Sequence, residues 1–344
     1  MSDLAGKAIV LTVSRFANYG LMLISPIILV RLLTVEDFGR YREFVLYAAV
    51  LVSIAGFSIA ESLLYLVPKF PQQPWRAVNQ TVRLTVVSSV LVMGVVAIAD
   101  LALDGRVSGG FFLPLSLYVL AFVNLDFWEF YWLSHHRTSA VFAYTVGRLA
   151  ARMFTVTVAA WLSRDVDTIV WALVGLEAVR LVISVVVWRR ISRARDEPEA
   201  VGLWQEQLRY CIPTGLATLL FTLHRNLGGL VVARMLGPAP LALFSIGLYV
   251  EPIIVALRNS ISTVALPEMV RSGDGQRMLS LWRRTVVFNA LQLFPAAAFG
   301  AVYAGSFVLP IFGLDYAQSV AVLQIYLLAI ILECCDRQDR KSVV

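Results

Sequence analysis

Long apolar segments dominate this chain and decide what it can fold into. Ten segments approach or exceed the roughly 20 residues that a helix needs to cross a membrane. Their ranges are 8–33, 41–67, 81–103, 111–133, 139–162, 168–188, 208–236, 239–267, 284–309 and 318–333. Lipid offers the backbone no hydrogen-bond partners, so segments of this length must satisfy their own polar groups as helices. We therefore predict an all-α membrane protein with about ten transmembrane helices.

Composition supports a membrane location. Of the 344 residues, 59% are hydrophobic and only 15% are charged, whereas soluble domains carry about 25% charged residues. No polar stretch is long enough to form a separate soluble domain. The first apolar segment is too long for a signal peptide, and we expect it to remain as the first span.

The second half of the chain faintly repeats the first. Similar short strings recur in the same order about 200 residues apart, which is the arrangement of a duplicated helix bundle in secondary transporters. The matching pairs are 30–33 with 233–236, 67–68 with 266–267, 81–82 with 285–286, and 118–121 with 326–329. An even number of segments separates the two starts, so the halves should insert in parallel. Chance similarity between Leu-, Val- and Ala-rich segments is the alternative explanation.

The repeat divides the chain into three parts. We predict a six-helix bundle at 1–190, a cytoplasmic linker at 191–207 and a second bundle of about four helices at 208–344. The second bundle is therefore expected to be incomplete, without partners for the fifth and sixth segments. A truncated product and a natural variant are both consistent with this pattern.

The distribution of Lys and Arg predicts the orientation. Cytoplasmic loops are enriched in both residues, and the connection between the two halves, residues 189–207, is basic, with Arg189, Arg190, Arg193 and Arg195. Placing the N-terminus in the cytoplasm puts most loop cations inside. A smaller group falls on the outer side and includes Arg31, Arg40 and Arg42.

Six arginines lie within the apolar segments: Arg15, Arg148, Arg152, Arg180, Arg225 and Arg258. Each costs about 2.5–3.5 kcal/mol at a helix centre on insertion scales, so they should face the bundle interior or a water-filled cavity. The planar guanidinium binds phosphate with two hydrogen bonds. We predict a cationic cavity for an anionic headgroup. Ion pairs between helices, and snorkelling of residues near the segment ends, are the alternatives.

Acidic residues also occur within the segments. Glu61, Glu177 and Glu251 are candidates for carrying a coupling proton or Na⁺, although simple ion pairing is the alternative for each of them. Glu177 and Arg180 are three residues apart, which places them on one helical face where they can pair. Asp126 and Glu129 lie in the fourth segment.

The sequence predicts no cofactor and no metal site. It contains neither a phosphate-binding loop nor a dinucleotide fingerprint, so ATP is not expected to be the direct energy source. The adjacent His135 and His136 lack a third ligand nearby. The cysteines have neither metal-binding spacing nor a disulfide framework.

The first predicted outer turn carries a recognisable string. Residues 31–41, RLLTVEDFGRY, resemble a stretch that is typical of Wzx-like oligosaccharide flippases, the polysaccharide biosynthesis proteins of the multidrug/oligosaccharidyl-lipid/polysaccharide exporter superfamily. The echo at 234–238 and Pro68 at the end of the second segment fit the same pattern. The likeness covers about residues 1–333 and implies a MATE-like fold of two six-helix bundles.

This resemblance implies a transporter and not an enzyme. Its expected substrate is an undecaprenyl-diphosphate-linked oligosaccharide, flipped across a bacterial inner membrane by alternating access for surface polysaccharide synthesis. Expected partners are membrane lipids, a coupling H⁺ or Na⁺, and the polymerase and glycosyltransferases of the pathway; nucleic acid is not expected. Family members place cavity cations on the first, second, seventh and eighth helices, where only Arg15, Arg225 and Arg258 fall.

Three other functions compete with this one. A drug or cation antiporter of the same superfamily should favour acids over arginines in its cavity. A membrane glycosyltransferase or polymerase needs a catalytic acid on a sizeable outer loop, whereas Asp104, Asp165 and Asp167 lie in loops of a few residues. An inactive fragment is the third alternative, because the second bundle is expected to be incomplete.

Overall fold

The computed structural model describes residues 24–103, 105, 108–192, 202–255 and 275–336. Within these ranges the chain is helical and contains no strand. The helices of the first part are α1 (24–32), α2 (Val35–Gly56), α3 (Leu63–Lys69), α4 (Pro74–Ala102), α5 (Phe112–Val123), α6 (Phe127–Ser134), α7 (Thr138–Ser163), α8 (Val166–Ser192) and α9 (Leu203–Leu236). They are followed by α10 (Pro238–Gly247), α11 (251–255), α12 (Gly275–Val302), α13 (Ala304–Phe312) and α14 (Ser319–Asp336).

Six helices, counting α5–α6 and α10–α11 as continuous, are long and apolar enough to cross a membrane among the described residues. They are Pro74–Ala102, Phe112–Ser134, Val166–Ile191, Leu203–Leu236, Pro238–Val255 and Met278–Val302. Over the described ranges, each predicted apolar segment coincides with one helix or with two helices in series. The prediction of an all-α membrane protein is therefore confirmed.

Two of the predicted segments in the first half of the chain, among the described residues, are broken rather than continuous. The second stops at Gly56 because Phe57 and Ser58 adopt left-handed backbone angles, with φ of 38° and 53°, which end a helix. The fourth breaks at Asn124, whose side-chain amide donates to the Leu120 carbonyl at 2.7 Å and whose oxygen accepts from Thr85 at 2.8 Å. Hydropathy averages over such turns and does not detect them.

The first compact unit extends to Pro238 and includes α9. Its core contains Phe38, Phe44 and Leu115, each almost completely buried. α9 packs against α2 and α3, and it comes so close that a Cβ atom on Gly215 would lie 2.7 Å from the Phe57 carbonyl oxygen. The compact units thus separate after α9, and the predicted division at 191–207 stays a prediction.

The second compact unit begins at Ala239. Here α12 packs along α14, with Leu293 and Ile330 buried. Gly247 allows a close approach, since a Cβ atom there would lie 2.4 Å from a methyl group of Val322.

α4 shows how the first unit meets lipid. One face of the helix is apolar and exposed, and it carries Val87, Leu91, Val95, Ile98 and Leu101. The opposite face buries hydroxyl groups, which are those of Thr81, Thr85 and Ser89. This polarity is inverted relative to a soluble protein, as expected where hydrocarbon surrounds the bundle.

A buried amide fastens the start of α9 to α3 and α4. Gln207 is fully buried, and its Nε2 donates to the hydroxyls of Ser62 and Thr81, both at 2.9 Å. Its Oε1 accepts from Gln80 at 2.7 Å. The amide thus satisfies polar groups of α4 and of the residue that precedes α3, within the buried interior.

Gln207→Ala is expected to destabilise the first unit, because Ser62, Thr81 and Gln80 lose their shared partner. An unsatisfied buried group costs about 1–3 kcal/mol, so the thermal midpoint of the detergent-solubilised protein should fall by several degrees. Gln205→Ala is the matched control, since Gln205 is exposed on the same turn. Equal midpoints for the two variants would contradict the assignment.

Candidate functional site

Charged residues of the membrane segments gather where α6 and α7 meet. Asp126 precedes α6 and Glu129 lies one turn later, so both carboxylates share one face. Arg148 on α7 reaches both: Nη1 lies 3.0 Å from Asp126 Oδ1, and Nη2 lies 3.6 Å from Glu129 Oε2. Its side chain is only 24% exposed. One guanidinium is thereby held by two carboxylates at a helix junction.

A second ion pair lies on α8. Arg180 donates from Nη1 to Glu177 Oε2, and the predicted pairing of these residues is confirmed. Arg180 also donates from Nη2 to the hydroxyl of Tyr144 at 2.9 Å, with its guanidinium 5.5 Å from the centre of that ring. The Glu177 side chain is only 1% exposed, so this ion pair lies within the protein.

Tyr144 connects the two pairs. Its ring lies beneath Arg148 as well as Arg180, with 5.8 Å between the Arg148 guanidinium and the ring centre. Its hydroxyl donates to the Leu125 carbonyl at 3.2 Å. Charges in a low-dielectric interior persist only with partners and hydrogen bonds. We call Asp126, Glu129, Tyr144, Arg148, Glu177 and Arg180 the charged network.

Arg152 differs from these arginines although it lies one turn beyond Arg148 on α7. No carboxylate among the described residues lies within ion-pair distance of it. Instead its guanidinium stands 5.9 Å from the centre of the Tyr118 ring and hydrogen-bonds Tyr41. It is also close enough to Glu177 to interact electrostatically. Arg152 therefore retains a positive charge that no carboxylate neutralises directly.

Arg152 lines a partly open cavity of about 180 Å³ between α1, α2 and α7. The polar lining consists of Ser25, Tyr41, Arg42 and Arg152, and the remaining wall is apolar. Sites for drug-sized ligands measure about 300–1,000 Å³. This cavity therefore suits a small group, and two arginines at its wall favour an anion such as phosphate.

The structure brings four of the nine predicted site residues together: Arg148, Arg152, Arg180 and Glu177. Glu61 lies in the turn between α2 and α3, within electrostatic reach of Tyr210. Arg225 is exposed on α9, and Glu251 begins α11 in the second unit. Arg15 and Arg258 fall outside the described residues.

For Arg148 and Arg180, the structure shows the ion pairs that were the alternative interpretation. The sequence pattern did not single out Arg42, which was assigned to the outer side of the membrane, nor Asp126 and Glu129. Arg42 lies two turns inside α2 and reaches the cavity. Asp126 and Glu129 could have been recognised from the sequence, because two acids one helical turn apart are unusual in an otherwise apolar, aromatic segment.

Asp165, considered as a catalytic acid of a glycosyltransferase, has a structural role. Its carboxylate accepts from the backbone N–H and the hydroxyl of Thr168, at 3.0 and 2.9 Å, and caps the start of α8. These hydrogen bonds lower the pKa of Asp165 below its usual range. An acid held ionised in this way is a poor proton donor at neutral pH.

Among the described residues, no group of three or more His, Cys, Asp or Glu side chains is arranged to hold a metal ion. His135 interacts with Tyr131, one helical turn earlier. Its Nδ1 lies 2.8 Å from the Tyr131 carbonyl oxygen, and the centres of the two rings are 4.4 Å apart.

Comparisons with known proteins match both the sequence and the fold. A family model described as "Polysaccharide biosynthesis protein" matches residues 134–321, which include α7, α8 and Arg152. A solved structure described as "Inward-facing conformation of a multidrug resistance MATE family transporter of the MOP superfamily" is similar, with a TM-score of 0.60. It is 12% identical in sequence, and the match covers 94% of this chain and 79% of that one. No curated protein sequence matched the chain.

Proposed function

We propose that this chain, which belongs to the polysaccharide biosynthesis protein family, translocates an undecaprenyl-diphosphate-linked oligosaccharide across a bacterial inner membrane. It is a multi-pass membrane protein with the fold of a transporter. In the proposal, its substrate site opens alternately to the two sides of the membrane. The substrate joins a polyprenyl tail, which can stay in lipid, to a diphosphate and a sugar chain that cannot.

The observation that carries this proposal is the state of Arg152. Arg148 and Arg180 are neutralised by carboxylates, so an anion would have to displace those partners before it could bind. Arg152 borders a cavity, has no ion-pair partner among the described residues, and has a second arginine, Arg42, on the same wall. Two guanidinium groups in so small a cavity match the charge and size of a diphosphate.

The remaining candidates keep their proposed roles. Arg15, Arg225 and Arg258 are further candidates for contacting the substrate during its passage. Glu61, Glu177 and Glu251 are candidates for carrying the coupling H⁺ or Na⁺. The proposal also places the N-terminus in the cytoplasm, next to the glycosyltransferases that supply the substrate, and delivers the product to a polymerase outside.

Transport of lipid-linked sugar by the purified chain tests the function. Proteoliposomes should expose an inner-leaflet undecaprenyl-diphosphate-linked oligosaccharide to an external lectin or glycosidase much faster than empty liposomes do. A lipid carrying the same sugar without the diphosphate is the matched control and should not move, because the proposal makes the diphosphate the recognised group.

Two results would overturn the proposal. One is equal transfer of the lipid with and without diphosphate, at a rate above that of empty liposomes, which would mean that the diphosphate is not the recognised group. The other is transport of a cationic dye with no movement of the lipid-linked sugar, which would instead support the drug or cation antiporter.

A further inference from the structure

Glu177 is a buried carboxylate with only half of its hydrogen-bonding capacity satisfied. Oε2 accepts from Arg180, but Oε1 is buried and has no hydrogen-bond partner. The residue itself is fully buried, so Oε1 is not accessible from the protein surface. A buried acceptor that stays unsatisfied costs about 1–3 kcal/mol, and more when it is charged. This site is therefore poised to gain a cation, a donor or a proton.

The groups around Glu177 come from the described helices that pack most extensively against α8. α8 contacts α7, α5 and α2, and these helices, with the α5–α6 turn, supply both positive and negative neighbours. The charged and titratable groups are Arg180 on α8, Arg148, Arg152 and Tyr144 on α7, Tyr118 on α5, Tyr41 on α2, and Asp126 with Glu129 at α6.

The formal charges of the acidic and basic residues in this group sum to zero. Asp126, Glu129 and Glu177 carry three negative charges, and Arg148, Arg152 and Arg180 carry three positive charges. Arg148 is held by Asp126 and Glu129, and Arg180 is held by Glu177. Arg152 is the remaining cation; it interacts electrostatically with the Glu177 carboxylate and also lines the cavity. The set is neutral only while Arg152 balances the acids.

An anion in the cavity would disturb this balance. The anion would bind the guanidinium of Arg152, whose positive charge otherwise stabilises the ionised Glu177 carboxylate. That stabilisation would thereby be reduced. The protein interior would then hold net negative charge in a low-dielectric setting, which is unfavourable. Protonation of Glu177 removes this excess negative charge at the lowest free-energy cost, because one of its oxygens has no hydrogen-bond partner. Asp126 and Glu129, in contrast, remain paired with Arg148.

From this geometry we infer that Glu177 takes up a proton from the aqueous phase when an anion occupies the cavity between Arg42 and Arg152. The inference rests on the proposed function and names the group that offsets the charge of the bound headgroup. One proton is bound together with one anionic headgroup, and the proton leaves when the headgroup is released. Linkage makes the effect reciprocal: each proton bound at Glu177 favours the anion as much as the anion favours the proton.

The direct test observes the carboxyl group by infrared difference spectroscopy on the purified full chain in lipid nanodiscs. The probe is a short-chain prenyl-diphosphate-linked N-acetylglucosamine, whose diphosphate diester does not itself titrate near neutral pH. Adding it to the wild-type protein should produce the C=O band of a protonated carboxyl group. Glu177→Gln should abolish that band, whereas Glu129→Gln, a matched change within the same cluster, should retain it.

Binding of the same probe gives an independent reading. Wild-type affinity should rise by up to about tenfold for each unit by which the pH falls, since one proton is taken up per anion. Glu177→Gln, which imitates the protonated state, should bind tightly and show no such dependence. If Glu177→Gln fails to fold because Arg180 loses its partner, the neutral double variant Glu177→Gln/Arg180→Gln replaces it with the same expectation.

The outcomes separate this inference from the proposed function. If the wild type binds the probe but shows no carboxyl band, or if Glu177→Gln keeps the pH dependence, the inference is overturned and the proposed function stands. If the wild type does not bind the probe at all, the anion site fails, and both fall together.

Discussion

Arg152→Ala is expected to reduce export of the surface polysaccharide about a hundredfold while the protein still inserts and folds. The side chain has no ion pair among the described residues, and a proton at Glu177 can replace the positive charge that Arg152 contributes, so the fold should tolerate its loss. Two charge-assisted hydrogen bonds to a phosphate are worth about 1.5–3 kcal/mol each, so losing them corresponds to at least a hundredfold. The measurement is the amount of exported polysaccharide in cells whose only copy of the gene carries the change.

Matched variants show whether the loss is specific to Arg152. Arg83→Ala removes an exposed arginine from α4 and should export at the wild-type level. Arg152→Lys keeps the charge but loses the planar fork and should recover only part of the activity. Wild-type export by Arg152→Ala, at equal protein level in the membrane, would contradict the proposed role of this residue.

Arg148→Leu, unlike Arg152→Ala, is expected to lower the free energy of unfolding strongly. It removes the common partner of Asp126 and Glu129, which would leave two partly buried carboxylates without their cation. Breaking a buried ion pair by removing one partner costs about 3–5 kcal/mol. Detergent-solubilised protein should therefore melt many degrees lower, or should fail to accumulate in the membrane.

A charge-free variant identifies the cause of that loss. Asp126→Asn/Glu129→Gln/Arg148→Met removes all three charges and keeps the approximate side-chain volumes, so it should recover most of the stability. If Arg148→Leu is as stable as the wild type, the ion pairs have no structural role. If the charge-free variant is no more stable than Arg148→Leu, the loss comes from packing and not from the stranded carboxylates.

These two variants contrast arginines that stand one turn apart on α7. Both lie in an apolar segment, and both carry the same insertion cost. The difference is in their surroundings: Arg148 faces two carboxylates across a helix junction, whereas Arg152 faces an aromatic ring and a cavity. The sequence grouped them because four residues separate them, which correctly placed them on one side of the helix.

Much of the fold could be predicted, with clear limits. The length and hydropathy of 139–162 and 208–236 indicated the helices α7 and α9 to within a few residues. The pairing of Glu177 with Arg180 also followed from spacing within one helix. The breaks after Gly56 and at Asn124 did not, because they depend on backbone angles and on hydrogen bonds to a neighbouring helix.

Arg42 shows why the site itself was only partly predictable. Its position near an outer turn indicated a loop cation, since hydropathy marks where a segment begins only approximately. In the structure, the turn at Thr34 caps α2, with the Thr34 hydroxyl accepting from the Asp37 backbone N–H at 3.1 Å. The helix therefore begins earlier, and Arg42 is carried two turns inward to the cavity.

The sequence by itself determined that this chain is helical, that it lies in a membrane, and roughly where each helix runs. Those properties follow from transferring contiguous residues from water into hydrocarbon, which depends on local composition alone. Only the tertiary structure decided which arginines are neutralised and which one borders a cavity. That depends on how each helix is rotated and on which side chains its neighbours present, and these are contacts between residues far apart in the chain.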